Sequence, residues 1–392
     1  MITKACKTNK IVYYLFLISI FLTNISQIPS FVSNPIFKLL SYLPWISMVL
    51  IILIFNRKKI NFGNGQILYL AISIFFVCFF ITLIGLDGLG VSLLQPILIS
   101  VFIYIIAFNS AKYISNIKFN NVCKSYAISA CIVAIFTFFE MISNGFTWES
   151  GVYAYNSKNS VSQIIVSAIL ILLLNRQEIK KRYILFYDLL IVFIFITIVM
   201  LKSRASLLGL VVIIISILLS KQFGKSTKRL CVFLSTIFIL LMVFNREFYN
   251  FIVYDIAFAG REASSLDSIS SGRISIMKDF PKLFLERPLF GYGRNYIECM
   301  QIDALYETGL VGGVLINLLA LMPLLYVFCM KKIKFYNDYN FVLLILSIIY
   351  YINSFFEQLA PFGPGVKCYF LWLVLGLAMR WNGGKNESIM DN

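Results

Sequence analysis

Apolar residues run continuously along most of this chain, broken by short polar gaps. The runs cover 11–29, 35–55, 66–85, 91–110, 125–143, 161–174, 183–201, 205–220, 229–244, 303–330, 341–356 and 366–380. A membrane-spanning helix needs about 20 predominantly apolar residues. A barrel strand would instead alternate apolar and polar over about ten. The pattern therefore predicts an all-α, polytopic integral membrane protein with about twelve transmembrane helices. The runs 161–174 and 341–356 are short, and a count of eleven or a re-entrant segment also fits. Lys4, Lys7 and Lys10 precede the first run without a small-residue cleavage pattern after it. That run reads as an uncleaved first span.

One long hydrophilic stretch, 245–302, interrupts the pattern. It divides the chain into a membrane domain 1–244, a loop 245–302, and a second membrane segment 303–392. Within the loop Ile274, Met277, Phe280 and Phe284 recur at near-helical spacing. Pro281 is expected to kink or divide that helix. The expected object is a short, broken amphipathic helix on the outer membrane surface. Pro288, Gly291 and Gly293 then predict a turn that lets backbone approach a neighbour closely. Asp303 and Glu307, at i and i+4, share one helix face at the start of the tenth run. A carboxylate at a helix N-terminus is favoured by the dipole. A carboxylate pair facing arginines would also supply a general base. Gly309, Gly312 and Gly313 permit close packing against another helix.

Composition agrees with the pattern: 60% of residues are hydrophobic and 13% charged. A soluble domain is nearer half apolar and a quarter charged. Net charge is +16. Lys and Arg concentrate in the cytoplasmic loops of membrane proteins, which accounts for it without a nucleic-acid partner. On the twelve-span topology, 22 of the 34 Lys and Arg fall in loops on one side. That bias predicts both termini in the cytoplasm and 245–302 outside, which in a bacterial inner membrane would be the periplasm. The chain has no histidine, and its eight cysteines are scattered without a CxxC. No metal site and no cofactor are expected. Lys158, Lys202, Arg204, Arg273 and Arg294 then stand out as outward cations. Some would snorkel to headgroups. Arg204, at the tip of a tight hairpin between apolar runs, calls for a partner or a ligand, and arginine suits bidentate phosphate contact.

Three local patterns carry a resemblance. Tyr155-Asn156-Ser157-Lys158-Asn159-Ser160 opens a span. Ser203-Arg204-Ala205-Ser206-Leu207-Leu208-Gly209 forms a hairpin. Ser271-Gly272-Arg273 precedes Arg287-Pro288-Leu289-Phe290-Gly291-Tyr292-Gly293, and then Leu305-Tyr306-Glu307-Thr308-Gly309-Leu310-Val311-Gly312. In this order they resemble the bacterial O-antigen polymerase and O-antigen ligase superfamily. The resemblance implies transfer of glycans from undecaprenyl pyrophosphate on the periplasmic side, without a metal. Arg204, Arg273 and Arg294, with Lys158 and Lys202, would hold the pyrophosphate. Asp303 or Glu307 would act as base, and Asn159, Tyr155 and Tyr292 would meet the glycan. The expected activity is a glycosyltransferase polymerising lipid-linked oligosaccharide repeat units. The family's ligases carry a histidine before the span holding the last pattern. Its absence here favours polymerase over a ligase acting on lipid A-core or protein, and uncharged span interiors disfavour a flippase. A chain-length regulator and a flippase are the protein partners such a polymerase implies.

Overall fold

A computed structural model describes residues 2–32, 34–56, 61–83, 92–143, 158–258, 273–293, 296–329, 338–363 and 368–390. The long helices are α1 (Ile2–Ile25), α2 (Pro35–Asn56), α3 (Gly65–Leu83), α4 (Leu94–Ser110), α5 (Phe119–Ser143), α6 (Lys158–Asn175), α7 (Ile184–Met200), α8 (Arg204–Leu219), α9 (Lys225–Phe244), α10 (Arg273–Glu286), α11 (Met300–Cys329), α12 (Asp338–Asn353) and α13 (Tyr369–Met390). Among the described residues no strand occurs. Each of the twelve apolar runs coincides with one of these helices. Seven stretches, Pro35–Ile54, Gly65–Leu83, Asn116–Ser143, Val161–Glu178, Lys181–Met200, Lys225–Phe244 and Met300–Cys329, are long and apolar enough to cross a membrane. Shorter apolar helices include Leu94–Ser110, Arg204–Leu219 and Tyr339–Asn353.

Burial sorts the helices into a centre and a rim. Val161–Glu178, which holds most of α6, is 83% buried, against 11% of Lys225–Phe244 in α9. From Tyr369 to Met379 α13 is buried, and it packs along α4. The rim helices present large apolar side chains outward: Tyr69, Phe76 and Leu83 on α3, Ile239, Val243 and Phe244 on α9. A water-soluble protein rarely exposes contiguous apolar surface on this scale, whereas lipid tails solvate it. Several polar groups inside the bundle are paired across helices. Asn24 bonds Ser129 at 2.9 Å, and Tyr369 Oη reaches Asn24 Oδ1 at 3.2 Å. At the other end of α6, Arg176 holds Asp188 bidentately at 2.6 and 2.7 Å and donates to Ser226 at 2.9 Å, tying α6 to α7 and α9.

Two sequence expectations need correction. The tenth run is not one straight helix. Gly309 adopts φ 62°, ψ −162°, and α11 breaks there. Asn317 Nδ2 lies 3.3 Å from the Gln301 carbonyl, a separation that would be about 24 Å along a straight helix. A Cβ on Gly313 would stand 2.7 Å from Leu305 Cα. The two limbs, 300–308 and 310–329, therefore double back against each other. Gly309 is the only local sign of it, and a lone glycine in such a run signals close packing as readily as a break. Second, Pro281 does not divide the loop helix: α10 is continuous through it. The helix is exposed around Pro281, so the carbonyl left without an N–H partner is not trapped in apolar surroundings. Its less exposed positions are Ile274, Ile276, Phe280 and Phe284, while Met277 is 47% exposed.

The break is held by the motif loop. Tyr292 N–H donates to the Tyr306 carbonyl at 2.8 Å and Gly293 N–H to the Glu307 carbonyl at 3.0 Å. Leu310 N–H donates to the Pro288 carbonyl at 2.7 Å and Val311 N–H to the Leu289 carbonyl at 3.3 Å. Two orphan carbonyls of the first limb and two orphan amides of the second are thus satisfied by one short segment. Contact is so close that a Cβ on Gly291 would meet the Tyr306 carbonyl at 2.4 Å, and one on Gly309 the Leu289 carbonyl carbon at 2.3 Å. Gly309→Ala combines backbone strain in a region open essentially to glycine with that clash. It is expected to cost about 3 kcal/mol or more, read as a large drop in the thermal midpoint of the detergent-purified protein. An unchanged midpoint would mean that the break is not built this way.

Candidate functional site

The first limb of α11 carries both predicted carboxylates, and each is 0% exposed. Asp303 sits in the first turn, where its Oδ1 accepts from Ile297 N–H at 3.0 Å. That is the position in which the helix dipole favours an acid. Glu307 is different. It lies in the last turn of the limb, next to the break, where the dipole disfavours a negative charge. Ser92 compensates: its N–H lies 3.1 Å from Oε2, and its Oγ donates to Oε1 at 2.5 Å. Ser92 stands just ahead of α4, so the carboxylate faces the positive end of another helix. Gln358 closes the circuit. Its Nε2 donates to Asp303 Oδ2 at 2.9 Å and to Ser92 Oγ at 3.0 Å. Met300 N–H donates to the Ser354 carbonyl at 2.9 Å, fixing the limb to the end of α12.

The outward cations form a second group. Lys202, with φ 52°, turns the α7–α8 hairpin. Its Nζ lies 3.1 Å from Asp255 Oδ2 and 5.0 Å from the Phe251 ring. Arg204, partly buried, donates from Nη1 to the Ala257 carbonyl at 3.4 Å. Both therefore grip the π-helical stretch Phe251–Ala257 at the start of the loop. Ser206 donates to Ser162 Oγ at 2.7 Å, and Ser162 to the Asn159 carbonyl at 2.8 Å. The first turns of α6 and α8, with Asn159 on one and Arg204 on the other, are joined by these hydroxyls.

α12 links the two groups. A Cβ on Gly209 of α8 would touch Val166 of α6 and Ile349 of α12, each at 3.2 Å. At about 1.5 Å per residue, these three atoms lie within roughly 6–12 Å of the α6 and α8 N-termini and the α12 C-terminus. Those ends consequently share one face of the bundle, and the carboxylate knot joins the α12 end of it. Lys202, Arg204, Asn159, Asp303 and Glu307 are thus brought to one face, in two groups of contacts. Arg273 opens α10 and Lys158 opens α6; the positions of their side chains lie outside the described structure, as do Tyr155 and Arg294 altogether. Tyr292 is engaged internally. Its ring stacks on Tyr306 at 4.8 Å, and its Oη is 2.8 Å from the Leu283 carbonyl and 2.9 Å from Glu286. It pins α10 to the motif loop.

Ser92 and Gln358 were not legible as site residues. Ser92 is a common polar residue at the start of an apolar run and Gln358 one in a short gap between runs, each far in sequence from the carboxylates it touches.

Residues 189–317 match the O-antigen ligase family. The match bears out the resemblance to the O-antigen polymerase and ligase superfamily over that segment. Enzymes of this family are glycosyltransferase-like and act on lipid-linked glycans. No curated protein matches the chain. The family segment holds Lys202, Arg204, Arg273, Tyr292, Arg294, Asp303 and Glu307. Ser92 and Gln358, which hold its carboxylates, lie outside it.

The knot makes a graded prediction. Gln358→Leu removes the donor to Asp303 and should lower stability by about 2 kcal/mol. Gln358→Glu adds a third carboxylate and should lower it further. Thermal unfolding of the purified protein checks the order, and an unchanged midpoint in Gln358→Leu would contradict the Gln358–Asp303 contact.

Proposed function

We propose that the protein is a polymerase of lipid-linked oligosaccharide repeat units in the bacterial inner membrane. It transfers the growing glycan from undecaprenyl pyrophosphate to a sugar hydroxyl of the next lipid-linked unit, with the loop 245–302 on the periplasmic side. Glu307 carries the reading. A buried carboxylate at the disfavoured end of a nine-residue limb, kept there by a serine and a dedicated backbone clasp, is hard to explain by stability alone. Functional sites are where such cost persists.

In this mechanism the donor's pyrophosphate is the leaving group, and its charge is balanced by guanidinium and ammonium groups. Arg204 and Lys202 contribute from the α7–α8 hairpin, Lys158 from the start of α6, and Arg273 and Arg294 from the loop. Asp303 or Glu307 takes the proton of the attacking hydroxyl. Asn159, Tyr155 and Tyr292 border the glycan. The polyprenyl tail stays in the bilayer beside the apolar rim. The energy is already in the donor, so no nucleotide is required. A chain-length regulator and a flippase are the partners that this activity calls for.

The family match fits a second reading equally, an O-antigen ligase. The absence of histidine from the chain supports polymerase, because the ligase pattern carries one. Surface polysaccharide from a deletion strain separates the two. Loss of the ladder with one repeat unit retained is the polymerase outcome; loss of every repeat overturns it. Arg204→Ala, in the same assay, is expected to reduce polymer at least about 100-fold and to leave single units, with Arg204→Lys intermediate. Wild-type chain length in Arg204→Ala would remove that residue from the site.

A further inference from the structure

The rim helix α9 carries a shallow groove of about 550 Å³, lined by Lys225, Lys228, Arg229, Val232, Phe233 and Thr236. These positions recur at helical spacing and form one stripe. Its first turn and a half is cationic, and the rest is apolar but for one threonine. From Lys225 to Thr236 the stripe is about 16 Å long, close to the thickness of one leaflet's hydrocarbon, about 15 Å. A headgroup-sized basic patch therefore opens directly onto a chain-length apolar strip.

Among the described residues no acid neutralises these charges: neither Lys225 nor Arg229 is in an ion pair, and Lys228 donates to the Leu218 carbonyl at 2.9 Å. The nearby acid Asp188 is already taken by Arg176. No acidic residue stands in the first turn of α9, so three cations crowd the end of the helix at which the dipole disfavours them. An anion relieves both penalties. One side of α9 packs on its neighbours through Cys231, Leu234 and Phe238, but only 11% of Lys225–Phe244 is buried, so its outer face is left to lipid.

We infer that the Lys225–Lys228–Arg229 groove of α9 is a binding site for an anionic phospholipid, its phosphate on the three cations and an acyl chain along Val232, Phe233 and Thr236. The site is separate from the carboxylate knot and does not depend on the polymerase reading. Cations near an anionic lipid surface each add to its attraction.

Native mass spectrometry of the full chain, titrated with equimolar phosphatidylglycerol and phosphatidylcholine, tests this. The wild-type protein is expected to retain phosphatidylglycerol about tenfold over phosphatidylcholine, with the preference shrinking as salt rises. Lys225→Gln combined with Arg229→Gln should bring the two lipids to near-equal retention, and Lys225→Glu combined with Arg229→Glu should reverse the order. Both pairs are exposed substitutions, and circular dichroism of the same samples confirms that the helices persist. Equal retention by wild type, or an undiminished preference in the glutamine variant, overturns the site. Retention of neither lipid, with a second copy of the chain bound instead, identifies the stripe as a protein interface and also overturns it.

Discussion

Four backbone hydrogen bonds between residues 288–293 and 306–311 hold together everything that makes this bundle more than a set of apolar helices. A helix broken in an apolar setting exposes amides and carbonyls, and each left bare costs several kcal/mol. The motif loop supplies both donors and acceptors from one short stretch, which only a backbone in close contact can do. That explains two otherwise unrelated features of the sequence at once. Gly291 and Gly309 face each other's backbones, and neither position has room for a side chain.

The clasp determines the electrostatics. By ending the first limb at Gly309 it sets Glu307 at the negative end of a short helix, and the carboxylate must draw on Ser92 and the start of α4 instead. Asp303, four residues earlier, sits at the favourable end of the same limb. The two acids share a face but not an environment, and Gln358 joins them through Ser92. Contacts from α12 to α6, α8 and α11 then set this knot on the same face as the Lys202–Arg204 hairpin.

Much of this was legible beforehand. Continuous apolar runs locate the helices because a lipid-facing or bundle-facing helix has to be apolar along its length, and each predicted run found its helix. The spacing of Asp303 and Glu307 put them on one face because helical geometry is local. Gly291 and Gly293 announced a close backbone approach, though not its partner. The uninterrupted course of α10 through Pro281 was not foreseen, since one lost hydrogen bond at an exposed position is tolerated without a break.

The sequence by itself determined the class of molecule, the positions of its helices and the residues able to do anionic or acid–base chemistry. These follow from hydropathy and from periodicities spanning a few residues. Only the tertiary structure decided that the tenth run folds back on itself, that Ser92 and Gln358 hold the carboxylates, and that the starts of α6 and α8 meet at Ser162 and Ser206. These are contacts between segments tens to hundreds of residues apart. Their cause lies in which polar groups the packed bundle leaves to one another, and no local pattern records that.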